Sequence, residues 1–223
     1  MNLPPSGHRR YDEPLDKNIG YNPDDRGVMG QIRGLTDDRG AILFRQAIHF
    51  ATWVHTGQVR KYNGLPYVTH PIRCGNRALS MTGDYEIAIA MLLHDGPEDQ
   101  ADRCPFGLIE SLYGLRTSTI VMHLTNPSKQ FKGANRAERK AIDRKHYENA
   151  SATVKSCKCI DRIDNLGEMD VEKDPGFVRI YCDESALLVE AMRRGERHPM
   201  LDALLLELEG VIDKLRNKIG VVP

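Results

Sequence analysis

Apolar residues in this chain recur three and four positions apart over long stretches. Nowhere do they alternate over a run that reads as a strand. Ile42, Leu43, Ala47, Ile48, Phe50, Ala51 and Val54 make one such stripe, so a helix is expected over 40–56. The segment 57–69 carries Gly57, Gly64 and Pro66 and reads as a loop. A second helix starts around His70-Pro71, where proline suits a first turn. A third covers 84–94 and contains the unbroken apolar run Ile87–Leu93, the mark of a buried helix. Further helices are expected over 106–125 with a break at Gly114, over 137–169 as one or two, over 176–194, and over 199–218. The stretch 126–136 reads as a basic polar loop. Leu201, Leu204, Leu205, Leu208, Val211, Ile212 and Leu215 form one stripe on the last helix, which is expected to pack onto the domain. The fold class is all-α, a helical bundle of about seven or more helices.

Residues 1–38 are rich in Pro, Gly, Asp and Arg and show no helical stripe, so they read as a flexible N-terminal extension. The main domain is expected over 39–195, followed by the amphipathic helix within 196–223. A length of 223 residues suffices for one domain with a substantial core. No stretch reaches the roughly 18 apolar residues of a membrane span, and the N-terminus lacks an apolar signal core. Five cysteines, none in a C-x-x-C pair, argue against a disulfide framework and for a reducing, cytoplasmic setting. Cys157 and Cys159 read as small residues of one helix rather than as a soft-metal site. Lys plus Arg equals Asp plus Glu, at 31 each. No global basic field draws in nucleic acid, and any anionic substrate must be met by a local cluster. Oligomeric state stays open.

The candidate chemistry begins at His94-Asp95, placed where the buried helix over 84–94 runs out, with Glu98-Asp99 just beyond. Pro97 inside a helix would remove a hydrogen bond and clash with the carbonyl of Leu93, so the helix is expected to end or kink at His94–Gly96. Gly96-Pro97 would then start a new turn carrying Glu98 and Asp99. His70, the His94-Asp95 pair and Asp161 lie on different predicted helices, and together they form a donor set for Mn²⁺, Fe²⁺ or Zn²⁺. Two imidazoles and two carboxylates leave room on such an ion for water and a phosphate oxygen. Glu98 and Asp99 could orient the attacking water or shuttle its proton.

In order, the chain carries Arg60-Lys61, a short Gly-containing loop, Pro66-Tyr67-Val68-Thr69-His70-Pro71, and Leu92-Leu93-His94-Asp95-x-x-Glu98-Asp99. Phe106-Gly107, Leu124-Thr125 and Lys158-Cys159-Ile160-Asp161-Arg162-Ile163-Asp164-Asn165-Leu166 follow. This series, from about Ala41 to Met192, resembles the hydrolase domain of the RelA/SpoT alarmone enzymes, within the HD phosphohydrolase superfamily. In size the chain is similar to the stand-alone small alarmone hydrolases, such as the metazoan SpoT homologues. The resemblance implies Mn²⁺-dependent removal of the 3′-pyrophosphate of ppGpp and pppGpp. It implies His70, His94, Asp95 and Asp161 as metal ligands and Glu98 and Asp99 as the catalytic acidic pair. It also implies Arg60, Lys61, Lys129, Asn165 and Tyr181 as nucleotide contacts.

Three positions depart from the family pattern. Gly96-Pro97 replaces an apolar pair, Gln100 stands where threonine is common, and Asp164 adds a negative charge inside the D-R-x-x-N motif. Asp164 and the basic segment 126–136 keep open a phosphohydrolase of the same site acting on another nucleotide, such as NADPH or an adenosine alarmone. The extensions at both ends keep open an alarmone-binding domain without turnover.

Overall fold

A computed structural model describes residues 38–221. The extension expected before Asp38 lies outside the described residues. Those residues form ten α-helices and one 3-10 turn, and their one extended pairing is an isolated bridge between Val59 and Pro66. The helices are α1 (Asp38–Val54), α2 (Thr69–Thr82), α3 (Tyr85–Leu93), α4 (Gly96–Asp99), α5 (Phe106–Tyr113), α6 (Leu115–Leu124), α7 (Arg136–Glu148), α8 (Ala152–Gly167), α9 (Pro175–Met192) and α10 (Pro199–Val221). The 3-10 turn spans Pro127–Gln130, inside the stretch expected to be loop throughout. The architecture is the all-α one that the periodicity predicts.

The helices fall into two compact units. The first runs to Val59 and resumes over Leu65–Thr125, so it holds α1 to α6. Its centre is α3, whose residues Ile87 to Leu93 are all buried and which packs against α1, α2 and α6. Asp84 caps α3, its carboxylate accepting from the amides of Glu86 and Ile87 at 2.9 and 3.2 Å. Close approach of α2 to α3 depends on Gly75. A β-carbon there would lie 2.7 Å from Cγ of Leu92 and 3.1 Å from the carbonyl oxygen of Ala88, well inside contact distance.

The second unit takes the Arg60–Gly64 loop and the chain from Asn126 onward. Here α8 is central and packs against α9 and α10. Leu201, Leu204, Leu205, Leu208, Ile212 and Leu215 of α10 are buried, the face that the apolar stripe marks. The segment 137–169 resolves into two helices. Ser151 starts the second, its hydroxyl accepting from the amide of Val154 at 3.3 Å. Asn135 and Glu138 form a reciprocal capping box at the start of α7.

Candidate functional site

In the first unit, His70 lies near the start of α2 and His94 directly follows α3. Both are buried, and their rings are 5.2 Å apart. Nδ1 of His94 is 2.7 Å from the carbonyl oxygen of Met91. A carbonyl only accepts, so Nδ1 carries the proton and Nε2 keeps its lone pair. That Nε2 is 3.3 Å from Oδ1 of Asp95, and Nε2 of His70 is 3.5 Å from Oδ2 of the same carboxylate. The Tyr67 hydroxyl donates to Oδ2 of Asp95 at 2.8 Å and fixes its orientation. Two buried imidazoles and one oriented carboxylate thus converge within one unit. The backbone bond on His94 is the kind of support that aims a histidine ligand at a metal. A divalent transition ion suits these donors.

The chain leaves the helical path where Pro97 demands it. His94 and Asp95 form a turn, and α4 begins at Gly96 with Pro97 in its first turn. Gly96 is required by packing, since a β-carbon there would sit 2.6 Å from Sγ of Cys104. The departure from the family's apolar pair is therefore matched by close approach of another residue. Glu98 is half-buried and Asp99 exposed on this short helix.

His55, which the sequence reading passed over, is buried beside this cluster. Its Nδ1 donates to Oε1 of Gln58 at 2.6 Å, and its ring is 5.0 Å from that of Tyr67. Burial holds the imidazole below its ordinary value of 6.5, although Gln58, Asp95 and Asp99 pull the other way. As pH falls through 6.5, the unfolded chain takes up a proton that the folded chain refuses, and stability drops until the lower folded value is reached. His55→Gln should flatten this acid limb in urea titrations below pH 6.5. An unchanged slope would remove His55 from the account.

In the second unit, Asp161 is buried on α8 and held at both oxygens. Nζ of Lys158 donates to Oδ2 at 2.7 Å, and Nδ2 of Asn165 donates to Oδ1 at 2.5 Å. The three residues follow helical spacing and share one face of α8. Arg60 extends the network, donating to Oδ1 of Asn165 at 2.8 Å and to Oε2 of Glu168 at 2.5 Å. Burial alone would lower the Lys158 pKa, but the Asp161 charge outweighs it and holds the ammonium above its ordinary range. Lys158→Met strips that counter-charge from a buried carboxylate and should cost about 3 kcal/mol in urea unfolding. A variant of wild-type stability would show that the pair contributes nothing.

The other expected nucleotide contacts are more dispersed. Lys61 is exposed, pairs with Asp174 at 2.8 Å and lies 4.8 Å from the Phe177 ring centroid. Lys129 is exposed on the 3-10 turn. Tyr181 on α9 lies beneath the Arg162 guanidinium, 4.3 Å from ring centroid to Cζ.

No family model matches the chain. The MESH1 protein of Xenopus tropicalis, a guanosine-3′,5′-bis(diphosphate) 3′-pyrophosphohydrolase by name, is 32% identical over 133 residues, covering 58% of this chain and 70% of its own length. The chain belongs to the MESH1 family of HD-type hydrolases. The Drosophila melanogaster MESH1 is 29% identical over 145 residues, or 63% of this chain and 77% of that protein. The bifunctional (p)ppGpp synthase/hydrolase SpoT of Escherichia coli K12 is 25% identical over 202 residues, which are 74% of this chain and 28% of SpoT. Among solved structures, one described as a metazoan ortholog of SpoT that hydrolyzes ppGpp superimposes with a TM-score of 0.58 at 24% identity. That match covers 81% of this chain and 97% of the other, and it is a likeness of fold. This MESH1-family chain has no helix, among the described residues, long and apolar enough to cross a membrane.

Proposed function

We propose that the chain hydrolyses the 3′-pyrophosphate of guanosine tetra- and pentaphosphate, releasing GDP or GTP and pyrophosphate. The cofactor in this reading is Mn²⁺, with His70, His94, Asp95 and Asp161 as its ligands. The observation that carries it is the convergence of His70, His94 and Asp95, with the His94 tautomer set by Met91. Asp161 joins on its place in the D-R-x-x-N motif, and the clamp of Lys158 and Asn165 suits a carboxylate whose direction matters. Such an ion supplies Lewis acidity, lowering the pKa of water and drawing charge from the phosphate under attack. Glu98 and Asp99, one turn past the doublet, take the role of orienting that water and accepting its proton. Arg60, Lys61, Lys129, Asn165 and Tyr181 bind the nucleotide. Arg60 already shares its guanidinium with a carboxylate and an amide, the geometry that also suits phosphate. Residues 39–195 carry the reaction, in the reducing cytoplasm that suits five buried free cysteines.

The test is chelation followed by add-back, with guanosine tetraphosphate and NADPH as parallel substrates and with pyrophosphate and orthophosphate measured separately. EDTA should abolish turnover, and Mn²⁺ should restore GDP and pyrophosphate. Orthophosphate released from NADPH at the higher rate would move the assignment to another nucleotide. Turnover indifferent to chelation would overturn it.

A further inference from the structure

Beside Asp161 on α8, Arg162 is 6% exposed. Its Nε and Nη1 have no hydrogen-bond partner among the described residues. The Tyr181 ring centroid lies 4.3 Å from Cζ, a cation–π contact that leaves both N–H groups without a hydrogen-bond acceptor. Leaving two such donors buried and unsatisfied is costly, and native structures resolve the cost with a partner.

Arg162 lines a small, partly open pocket in the second unit together with Lys140, Arg144, Asp143, Glu184 and Tyr147. The two carboxylates there are already engaged. Asp143 accepts from the amide of Ser128 at 3.2 Å, and Glu184 takes both arms of Arg136 at 2.6 and 3.0 Å. Lys140 reaches Asp143 only at 3.8 Å. The side chain of Arg144 makes no hydrogen bond or ion pair with the described residues. Burial and then the positive charge of Arg162 lower the Lys140 pKa, while Asp143 and Glu184 pull the other way.

We propose that this pocket is an oxyanion site for a phosphoryl group, with an unpartnered N–H of Arg162 as directed donor and Lys140 and Arg144 as flanking cations. Three cationic side chains match a phosphoryl dianion better than a monoanionic carboxylate. The phosphoryl group has two possible sources, a phosphate of the nucleotide substrate remote from the bond that is cut, or free inorganic phosphate. The oxyanion site does not depend on which ester the metal centre cleaves.

Calorimetric titration of sodium phosphate into the full chain, against sodium chloride of equal ionic strength, tests the site. Wild type should bind phosphate, and Lys140→Gln/Arg144→Gln should bind it at least about tenfold more weakly. Arg162→Lys keeps the charge but loses the fixed, planar N–H donors, and it should weaken binding in the same direction. If that buried variant does not fold, the double variant decides alone. A second arm measures KM for guanosine tetraphosphate, and only this arm rests on the substrate reading above. A KM raised about tenfold in the double variant, with phosphate competing, assigns the pocket to the substrate. Loss of phosphate binding with KM held assigns it to free phosphate. Equal phosphate binding by wild type and double variant, or none by wild type, overturns the site.

Discussion

His94→Ala should lower pyrophosphate release from guanosine tetraphosphate by roughly a thousandfold or more, because a metal centre that loses an imidazole ligand loses both ion and activated water. The tautomer makes the prediction specific. Nδ1 is committed to the Met91 carbonyl, so Nε2 is the nitrogen available for coordination, and it faces Asp95 at 3.3 Å. Alanine also deprives the Met91 carbonyl of a donor, a cost of about 1–2 kcal/mol that a domain of this size survives. Circular dichroism should therefore show a folded variant, while bound manganese measured by mass spectrometry falls well below one equivalent. A folded His94→Ala protein turning over at the wild-type rate would sink the site assignment.

Gly75→Val should be among the most destabilising single changes in the first unit. A β-carbon at this position already meets Cγ of Leu92 at 2.7 Å, Cδ2 at 2.9 Å and the Ala88 backbone oxygen at 3.1 Å. Valine adds two methyl groups beyond it, so α2 and α3 must separate, at a cost of about 3 kcal/mol. The same separation displaces His70, carried by α2, from His94 at the end of α3. A displacement approaching an ångström at a catalytic constellation costs up to roughly a hundredfold in rate. Urea midpoints and kcat, both measured well below the melting temperature, should fall together. A stable but inactive variant would mean that Gly75 acts on the site without packing, and a stable, active one would refute the close approach.

The first unit was the more legible in the sequence. The unbroken run Ile87–Leu93 announced a buried helix, Pro97 its end, and Gly114 the break between α5 and α6. Each of these is a local signal, carried by periodicity or by backbone sterics. What periodicity could not supply was adjacency. Nothing in the spacing brings His70 beside His94; Gly75 permits it, and its meaning appears only once Leu92 is seen against it. The order of motifs supplied the ligand set instead, by resemblance.

In the second unit the Lys158–Asp161–Asn165 face could have been read from helical spacing, since each step is three or four residues. It was missed because charged residues on a helix usually face water, whereas Lys158, Asp161 and Arg162 are buried. The pairing of Arg60 with Glu168 and Asn165 joins residues 108 and 105 positions apart, a relation that no local pattern encodes. The boundary inside 137–169 was ambiguous because the Asn149-Ala150-Ser151 cap interrupts two helices of good propensity without a proline or glycine.

The central claim is one ion bound by side chains from three separate stretches of the chain. Anomalous diffraction from crystals grown with Mn²⁺ tests it most directly. The account predicts a single strong peak within direct coordination distance of the imidazole nitrogens of His70 and His94 and of carboxylate oxygens of Asp95 and Asp161. A peak elsewhere, or one that leaves His94 or Asp161 uncoordinated, contradicts it.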